Sequence, residues 1–202
     1  MPSPLLGTEA LPTSIEVGGT LWPIRHDFRD GIRFETMVFD VSIPETTKVV
    51  LALDIWFEDM PHGVDMAALI DAMLDFYRCG KPPADGESDS EQVFSYEHDW
   101  DAIYAGFLTT FHLDLLDPDT KLHWWKFRSM LIALPAESAL MRIIGYRTAK
   151  TSRHMSAGER AHIRRMQRIH ALPHVGQQRS IRTREDLDAA LAAVREAKER
   201  VS

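Results

Sequence analysis

The order of apolar and polar positions along this 202-residue chain predicts a short β-hairpin followed by helices. Residues 13–17 alternate apolar and polar side chains, Gly18 and Gly19 follow, and residues 20–24 form a second β-prone run. Two-residue hairpin turns need positive φ, which glycine adopts without strain, so this pattern predicts an antiparallel hairpin. Pro23 has no N–H to donate to a β-ladder, which predicts an edge strand.

Beyond the hairpin, apolar side chains recur at the three- and four-residue spacing of amphipathic helices. Asp27 is placed to cap the first helix, and Ser156-Ala157-Gly158-Glu159 forms a capping box before the last. Ser42-Ile43-Pro44-Glu45 predicts another capping box, although the β-branched residues of 44–57 leave a strand as the alternative. The segments predicted to be helical are 28–38, 44–57, 64–78, 100–111, 121–134, 136–148 and 156–171.

Local composition divides the chain into an arm, a helical domain and a C-terminal appendage. Residues 1–12 hold three prolines and little pattern, which is typical of a mobile arm. Residues 13–172 form the predicted helical domain, with an acidic linker at 80–98 whose polar composition favours weak order. Residues 173–202 predict a second linker and a C-terminal helix. The predicted fold class is therefore mainly α, with a short N-terminal β-hairpin and a tethered C-terminal helix.

The net charge of −7 hides an uneven distribution. Residues 1–120 carry 6 Lys and Arg against 23 Asp and Glu, whereas residues 121–202 carry 17 against 7. Such a division indicates either a basic binding surface or mutual attraction of the two halves. The tethered helix either docks on a partner or folds back on its own domain. The candidate partner-binding residues are Arg160, Arg164 and Arg168 of the basic helix, and Leu187, Leu191 and Val194 of the C-terminal stripe.

The sequence holds no phosphate-binding glycine loop, no helical zinc pair and no nucleophile elbow. Cys79 is the only cysteine, which excludes an internal disulfide and a four-cysteine zinc site. No run approaches about 18 apolar residues, so we expect no membrane span. We also expect no enzyme, no cofactor and no metal. The arginines of the basic helix lack interleaved aromatic residues, which makes a nucleic-acid partner the weaker alternative.

Histidine and aspartate side chains in the second half of the chain are candidate metal ligands. His112, Asp114 and His123 lie within twelve residues, but a histidine beside two tryptophans more often makes a hydrogen bond in or near the core. Two aspartate pairs flank the fourth predicted helix, and we expect solvated loop acids there instead of cation ligands. These pairs are Asp99 with Asp101 and Asp117 with Asp119.

The most distinctive motif is Leu-His-Trp-Trp-Lys-Phe-Arg at 122–128. It follows Phe-Tyr-Arg-Cys-Gly at 76–80, Ile-Tyr-Ala-Gly-Phe at 103–107 and Phe-His-Leu-Asp-Leu at 111–115, and it precedes Met-Arg-Ile-Ile-Gly-Tyr-Arg at 141–147. Together, across residues 10–172, these segments resemble the bacteriophage gene-product-fifteen family of siphophage and prophage proteins. The chain has Phe111 and His112 where the family usually has Tyr-Gly, and residues 173–202 extend beyond it.

The resemblance implies a phage morphogenesis protein. Family genes lie between those of the tail tube and the tape measure, which implies a tail assembly chaperone of the host cytoplasm. Such a chaperone binds the tape-measure protein, and we expect it to act as a homo-oligomer. The alternatives are a structural virion component such as a tail-completion or connector protein, a nucleic-acid-binding protein, or a small hydrolase or nuclease. Within the motif, His123, Trp124, Trp125 and Phe127 are predicted to be structural.

Overall fold

A computed structural model describes residues 10–82 and 92–173 of the chain. It confirms the mainly α fold with an N-terminal hairpin. The elements are β1 (Ser14–Val17), β2 (Thr20–Pro23), α1 (Phe28–Phe39), α2 (Glu45–Trp56), α3 (Met66–Tyr77), α4 (Trp100–Phe111), α5 (Trp124–Ile132), α6 (Ala139–Thr148) and α7 (Ala157–Ile169). None of these helices is long and apolar enough to cross a membrane.

Three predictions fall partly or wholly on other parts of the chain. Most of the N-terminal arm, the centre of the acidic linker at 83–91, and the tethered helix lie outside the described residues. The candidate contacts on that helix, Leu187, Leu191 and Val194, therefore also lie outside the described residues.

The described residues divide into two compact units. The N-terminal unit comprises 10–82 together with 122–127, and the C-terminal unit comprises 92–121 together with 128–173. Helix α5 therefore contributes its first four residues to the N-terminal unit and its remainder to the C-terminal unit.

The hairpin and α1 form as the local sequence dictates. Gly18 and Gly19 have φ of 59° and 78°, which closes the two-residue turn and pairs Val17 with Thr20. Asp27 caps α1, because its carboxylate accepts a hydrogen bond from the backbone N–H of Arg29 at 3.0 Å. The hairpin packs on α3, and α1 packs on α2.

The start of α2 differs from the prediction. The helix alternative is right for 44–57, but no capping box forms: Pro44 is the N-cap and makes no side-chain cap. Ser42 instead donates its hydroxyl to Asp40 at 2.7 Å. Proline fixes its own φ near the value that begins a helix, so the turn of Asp40 and Ser42 and the ring of Pro44 define this start.

The C-terminal unit is built on α4, α6 and α7, with α6 packed on both of the others. The capping box predicted at Ser156 and Glu159 forms with both of its hydrogen bonds. Helix α6 is less buried than its pattern predicts, because Leu140 is fully buried whereas Ile143 and Ile144 are half-buried.

The second half of the predicted linker, residues 92–98, packs within the C-terminal unit, so the prediction of weak order is wrong for these residues. Tyr96 is buried and its ring packs edge-on against Phe94. The carbonyl of Val93 accepts a hydrogen bond from Arg147 at 3.0 Å. These three residues tie 92–98 to the C-terminal unit, so the apolar side chains at 93, 94 and 96 outweigh the acidic composition around them.

Candidate functional site

His123 occupies the position before α5 and both of its ring nitrogens are engaged. Its Nδ1 accepts a hydrogen bond from the backbone N–H of Trp125 at 3.0 Å. The ring is therefore protonated at Nε2, which donates to the carbonyl of Pro12 at 2.9 Å. Burial lowers the pKa of His123 below its ordinary value, the nearby charges of His26 and Lys126 lower it further, and the Pro12 carbonyl opposes the shift.

A short antiparallel bridge holds His123 beside the start of α1. The backbone N–H of Trp124 donates to the carbonyl of His26 at 2.7 Å, and that of Phe28 donates to Leu122 at 2.9 Å. The rings of His26 and His123 stack at 5.0 Å. The histidine of the motif thus joins three chain segments by a neutral imidazole.

Trp124 is fully buried and fixed by its indole nitrogen. Nε1 donates to the carbonyl of Tyr77 at 2.9 Å, and the ring stacks on Tyr77 and Phe127 with centroids 5.8 and 5.9 Å away. Gly31 of α1 contacts the same indole, since a Cβ built there would lie 2.1 Å from Cε3 of Trp124. Only glycine allows α1 to approach the indole this closely.

The indole of Trp125 makes an equivalent hydrogen bond to the carbonyl of the residue before Tyr77 in α3. Its Nε1 donates to the carbonyl of Phe76 at 2.8 Å, and its ring contacts that of Phe76. The last carbonyls of a helix lack partners within the helix. Trp124 and Trp125 donate to two of them, so the two indoles help to cap the C-terminus of α3. The Phe76 carbonyl also accepts from the backbone N–H of Cys79 at 2.9 Å.

The chain leaves α3 through two successive residues with positive φ. Cys79 has φ of 60° and Gly80 has φ of 68°, and the N–H of Gly80 donates to the carbonyl of Asp75 at 2.9 Å. This left-handed exit is a common way to end a helix. The motifs at 76–80 and 122–128 therefore meet at one place, the end of α3, which the sequence did not predict.

Phe127 completes this scaffold on the side of α1. Its ring is fully buried and stacks on Phe28 at 5.1 Å. Both indole N–H groups and both imidazole nitrogens are hydrogen-bonded within the protein, and the Phe127 ring is buried. The polar groups of the motif therefore stabilise the fold. We call the four residues His123, Trp124, Trp125 and Phe127 the aromatic centre.

The C-terminal unit contains a buried ion pair that the sequence did not predict. Arg147 donates from Nη1 and Nη2 to the two carboxylate oxygens of Asp99 at 2.6 and 2.8 Å, and the side chains are 11% and 4% exposed. Asp99 also accepts from the N–H of Ser95 at 2.9 Å, and Nε of Arg147 donates to the carbonyl of His170. The expectation of a solvated acid is wrong for Asp99.

A second internal charge lies in the N-terminal unit. Lys48 is 1% exposed, and its Nζ donates to the carbonyl of Val38 at 2.8 Å and to Glu45 at 2.9 Å. The only signal for it in the sequence is the three-residue spacing of Glu45 and Lys48. The pair anchors the start of α2 on the end of α1.

The predicted metal-ligand candidates take ordinary structural positions. His112 is exposed and ends α4 with φ of 54°, and Asp114 accepts from the N–H of Leu116 at 2.9 Å. The N–H of Thr120 donates to the carbonyl of Asp117, which closes the predicted turn. Within 10–82 and 92–173, no group of three His, Cys, Asp or Glu side chains is arranged to hold a metal ion.

The three candidate arginines of α7 have different surroundings. Arg160 is half-buried and donates to the carbonyl of Met155 in the loop before the helix. Arg164 and Arg168 are exposed, as is Arg165 between them. Among the described residues, Arg164 and Arg168 are therefore exposed, whereas Arg160 makes a hydrogen bond within the fold.

Comparison with known families gives one finding. A family model described as Bacteriophage Gp15 protein matches residues 8–172, which include both units and the aromatic centre. The curated proteins and the solved structures give no match to the chain.

Proposed function

Because the chain belongs to the bacteriophage Gp15 protein family, we propose that it acts in phage tail morphogenesis as an assembly chaperone that binds the tape-measure protein. The match over 8–172 is the observation that carries this proposal, since it makes the chain a phage protein over most of its length. The protein would act in the host cytoplasm, as a homo-oligomer, and without catalysis.

The proposed partner binds outside the aromatic centre. Trp56, Trp124 and Trp125 are buried, so these tryptophans stabilise the fold and are not available to hold a ligand. A partner must therefore use side chains on the surface. The large apolar side chains exposed among the described residues are Leu21, Val41, Val50, Met60, Met66, Leu108, Leu116, Ile132 and Ile169.

Ile132, at the end of α5, is the most exposed of these at 68%. A chaperone for a long apolar helical chain needs such side chains, because apolar burial supplies most of the driving force for association. Adjacent Ala133 is also exposed but contributes little apolar area. The two positions therefore form a matched pair for testing.

The test is capture of the tape-measure protein by the tagged, co-expressed full-length chain. We expect capture by the native chain, weaker capture by Ile132→Glu, and native capture by the control Ala133→Glu. Each variant adds one negative charge at neighbouring exposed positions, so a difference between them reports lost apolar contact. Failure of the native chain to capture the tape-measure protein would contradict the proposal.

A further inference from the structure

Helix α7 presents a basic face on the side away from α6. Its packed side is fixed by Tyr146 of α6, whose ring stacks on His170 at 5.7 Å and meets His162 edge-on. On the other side Arg164, Arg165 and Arg168 are exposed, and α7 has no fully buried residue. We call these three arginines the basic face.

The basic face has an apolar margin. Ile169 directly follows Arg168 and is 58% exposed, and Ala161 and Ala171 are exposed on the turns before and after the arginines. Small side chains at both ends leave room for another surface to approach the arginines. The face therefore combines positive charge with apolar area available for burial.

A complementary surface exists in the N-terminal unit. Residues 49–77 contain six carboxylates and no Lys or Arg, and the cation that packs on the end of α2 is Arg25, which donates to the carbonyls of Asp54 and Ile55. Two of these acids are committed internally, since Asp65 caps α3 and Asp75 pairs with Arg78. Glu58 and Asp59, in the loop after α2, are exposed, and no hydrogen bond or ion pair joins their side chains to other described residues.

Residues 58–66, which we call the acidic loop, also carry apolar side chains next to their charges. Met60 follows Asp59 and is 48% exposed, and Met66 is 40% exposed at the start of α3. Methionine adapts its shape to a partner surface more readily than branched side chains do.

We propose that the basic face of one copy binds the acidic loop of a second copy. Opposite charges would steer the two surfaces together, and burial of Ile169 against the exposed methionines would supply affinity. The two surfaces are different patches of the same chain, so the contact is head-to-tail and repeats into a ring or an open chain. This inference rests on the proposed oligomer and is independent of tape-measure capture.

The test uses charge reversal in the full-length chain. Arg164→Glu with Arg168→Glu reverses the basic face, and Glu58→Lys with Asp59→Lys reverses the acidic loop. Lys150→Glu with Arg153→Glu is the control matched to reversal of the basic face, because both residues are exposed, belong to the same unit as that face and change the net charge by the same amount. Sedimentation velocity measures association, and circular dichroism shows that each variant is folded.

We expect the native chain and the control to self-associate and each reversed variant alone to associate at least about tenfold more weakly, because like charges then face each other. Mixing the two reversed variants should restore association, because both contacts in the mixture then join opposite charges. This restoration is specific to pairing between copies.

Four results would overturn the inference: a native chain that stays monomeric, reversed variants that associate normally, a control that is equally weakened, or a mixture that remains monomeric. The last would place the attraction inside one chain or with another partner such as DNA. Since tape-measure capture is measured separately, a monomeric chain that still captures its partner would remove this inference and leave the proposed function intact.

Discussion

Gly31 lies against Trp124 so closely that a Cβ at Gly31 would be 2.1 Å from Cε3 of the indole. The same indole donates to the carbonyl of Tyr77, so its position is fixed from both sides. The contact joins the motif at 122–128 to α1 and to the end of α3. Gly31 therefore leaves the space that the buried Trp124 indole occupies.

The first prediction concerns Gly31→Ala. The new methyl group must displace either α1 or the buried indole, and overpacking of this kind costs roughly 1–3 kcal/mol or somewhat more. Urea denaturation measures the loss. Gly145→Ala in α6 is the control, because nothing lies within 4 Å of its Cβ position. There we expect a gain of about 0.5–1 kcal/mol from helix propensity, so equal effects of the two variants would contradict the account.

The second prediction tests capping of α3 by the indoles. Trp125→Ala should lower the free energy of unfolding by about 3–5 kcal/mol, as is typical of a buried aromatic truncation. Trp125→Phe keeps a ring but removes the indole donor. The Phe76 carbonyl still accepts from the backbone N–H of Cys79, so the lost hydrogen bond should cost about 0.5–1.5 kcal/mol. Chemical denaturation gives both values. A Trp125→Ala variant with unchanged stability would refute the structural role of the motif.

The third prediction concerns pH. The pKa of His123 is lowered in the folded chain, so the unfolded chain binds more protons as the pH falls below the ordinary value of 6.5. The free energy of unfolding must therefore decrease as pH falls through this window, and the contribution is fully present above it. The neighbouring His26, whose ring stacks on that of His123, lowers the pKa of His123 further.

His123→Asn provides the matching measurement. The amide oxygen of asparagine can replace Nδ1 as the acceptor for the Trp125 N–H, and the amide does not titrate between pH 5 and 7. We expect its unfolding free energy to depend less on pH than that of the native chain. Parallel curves for the two proteins would show that His123 does not carry the effect.

The fourth prediction concerns His112. This residue ends α4 with φ of 54°, a conformation that costs a non-glycine residue roughly 1–2 kcal/mol. His112→Gly should therefore raise the free energy of unfolding by about 0.5–1 kcal/mol after the flexibility of glycine in the unfolded chain is subtracted. His112→Ala keeps the strain and is the control. A gain of equal size in His112→Ala would assign the effect to the imidazole and not to the backbone.

The fifth prediction concerns the buried ion pair of the C-terminal unit. Arg147→Met leaves Asp99 buried without its bidentate partner, which costs about 3–5 kcal/mol. Arg142→Met removes the same side chain from an exposed position of the same helix and should have little effect. Thermal unfolding compares the two variants. Similar melting temperatures would contradict the importance of the Asp99–Arg147 pair.

The sequence predicts the elements well because their determinants are local. Gly18-Gly19 specifies the hairpin turn, and Asp27 and Ser156 specify helix starts within three residues of themselves. The capping box predicted at Ser42 is wrong, although its determinants are also local. The Ser42 hydroxyl donates to Asp40 instead, and Pro44 becomes the N-cap.

Contacts between distant segments are not available from such patterns. The pairing of Asp99 with Arg147 and of Trp125 with Phe76 spans 48 and 49 residues. The sequence around each residue indicates only its local setting. Asp99 follows a predicted acidic linker and Phe76 lies in a predicted apolar helix, and neither pattern indicates the distant partner.

The most direct measurement of the proposed function is quantitative mass spectrometry of an infected-cell lysate and of virions purified from it. An assembly chaperone leaves the tail before the particle is complete. The account therefore predicts that peptides of this protein are abundant in the lysate and absent from the virions, whereas tail-tube and tape-measure peptides appear in both. A fixed number of copies in every purified virion would contradict the chaperone and identify a structural component of the tail.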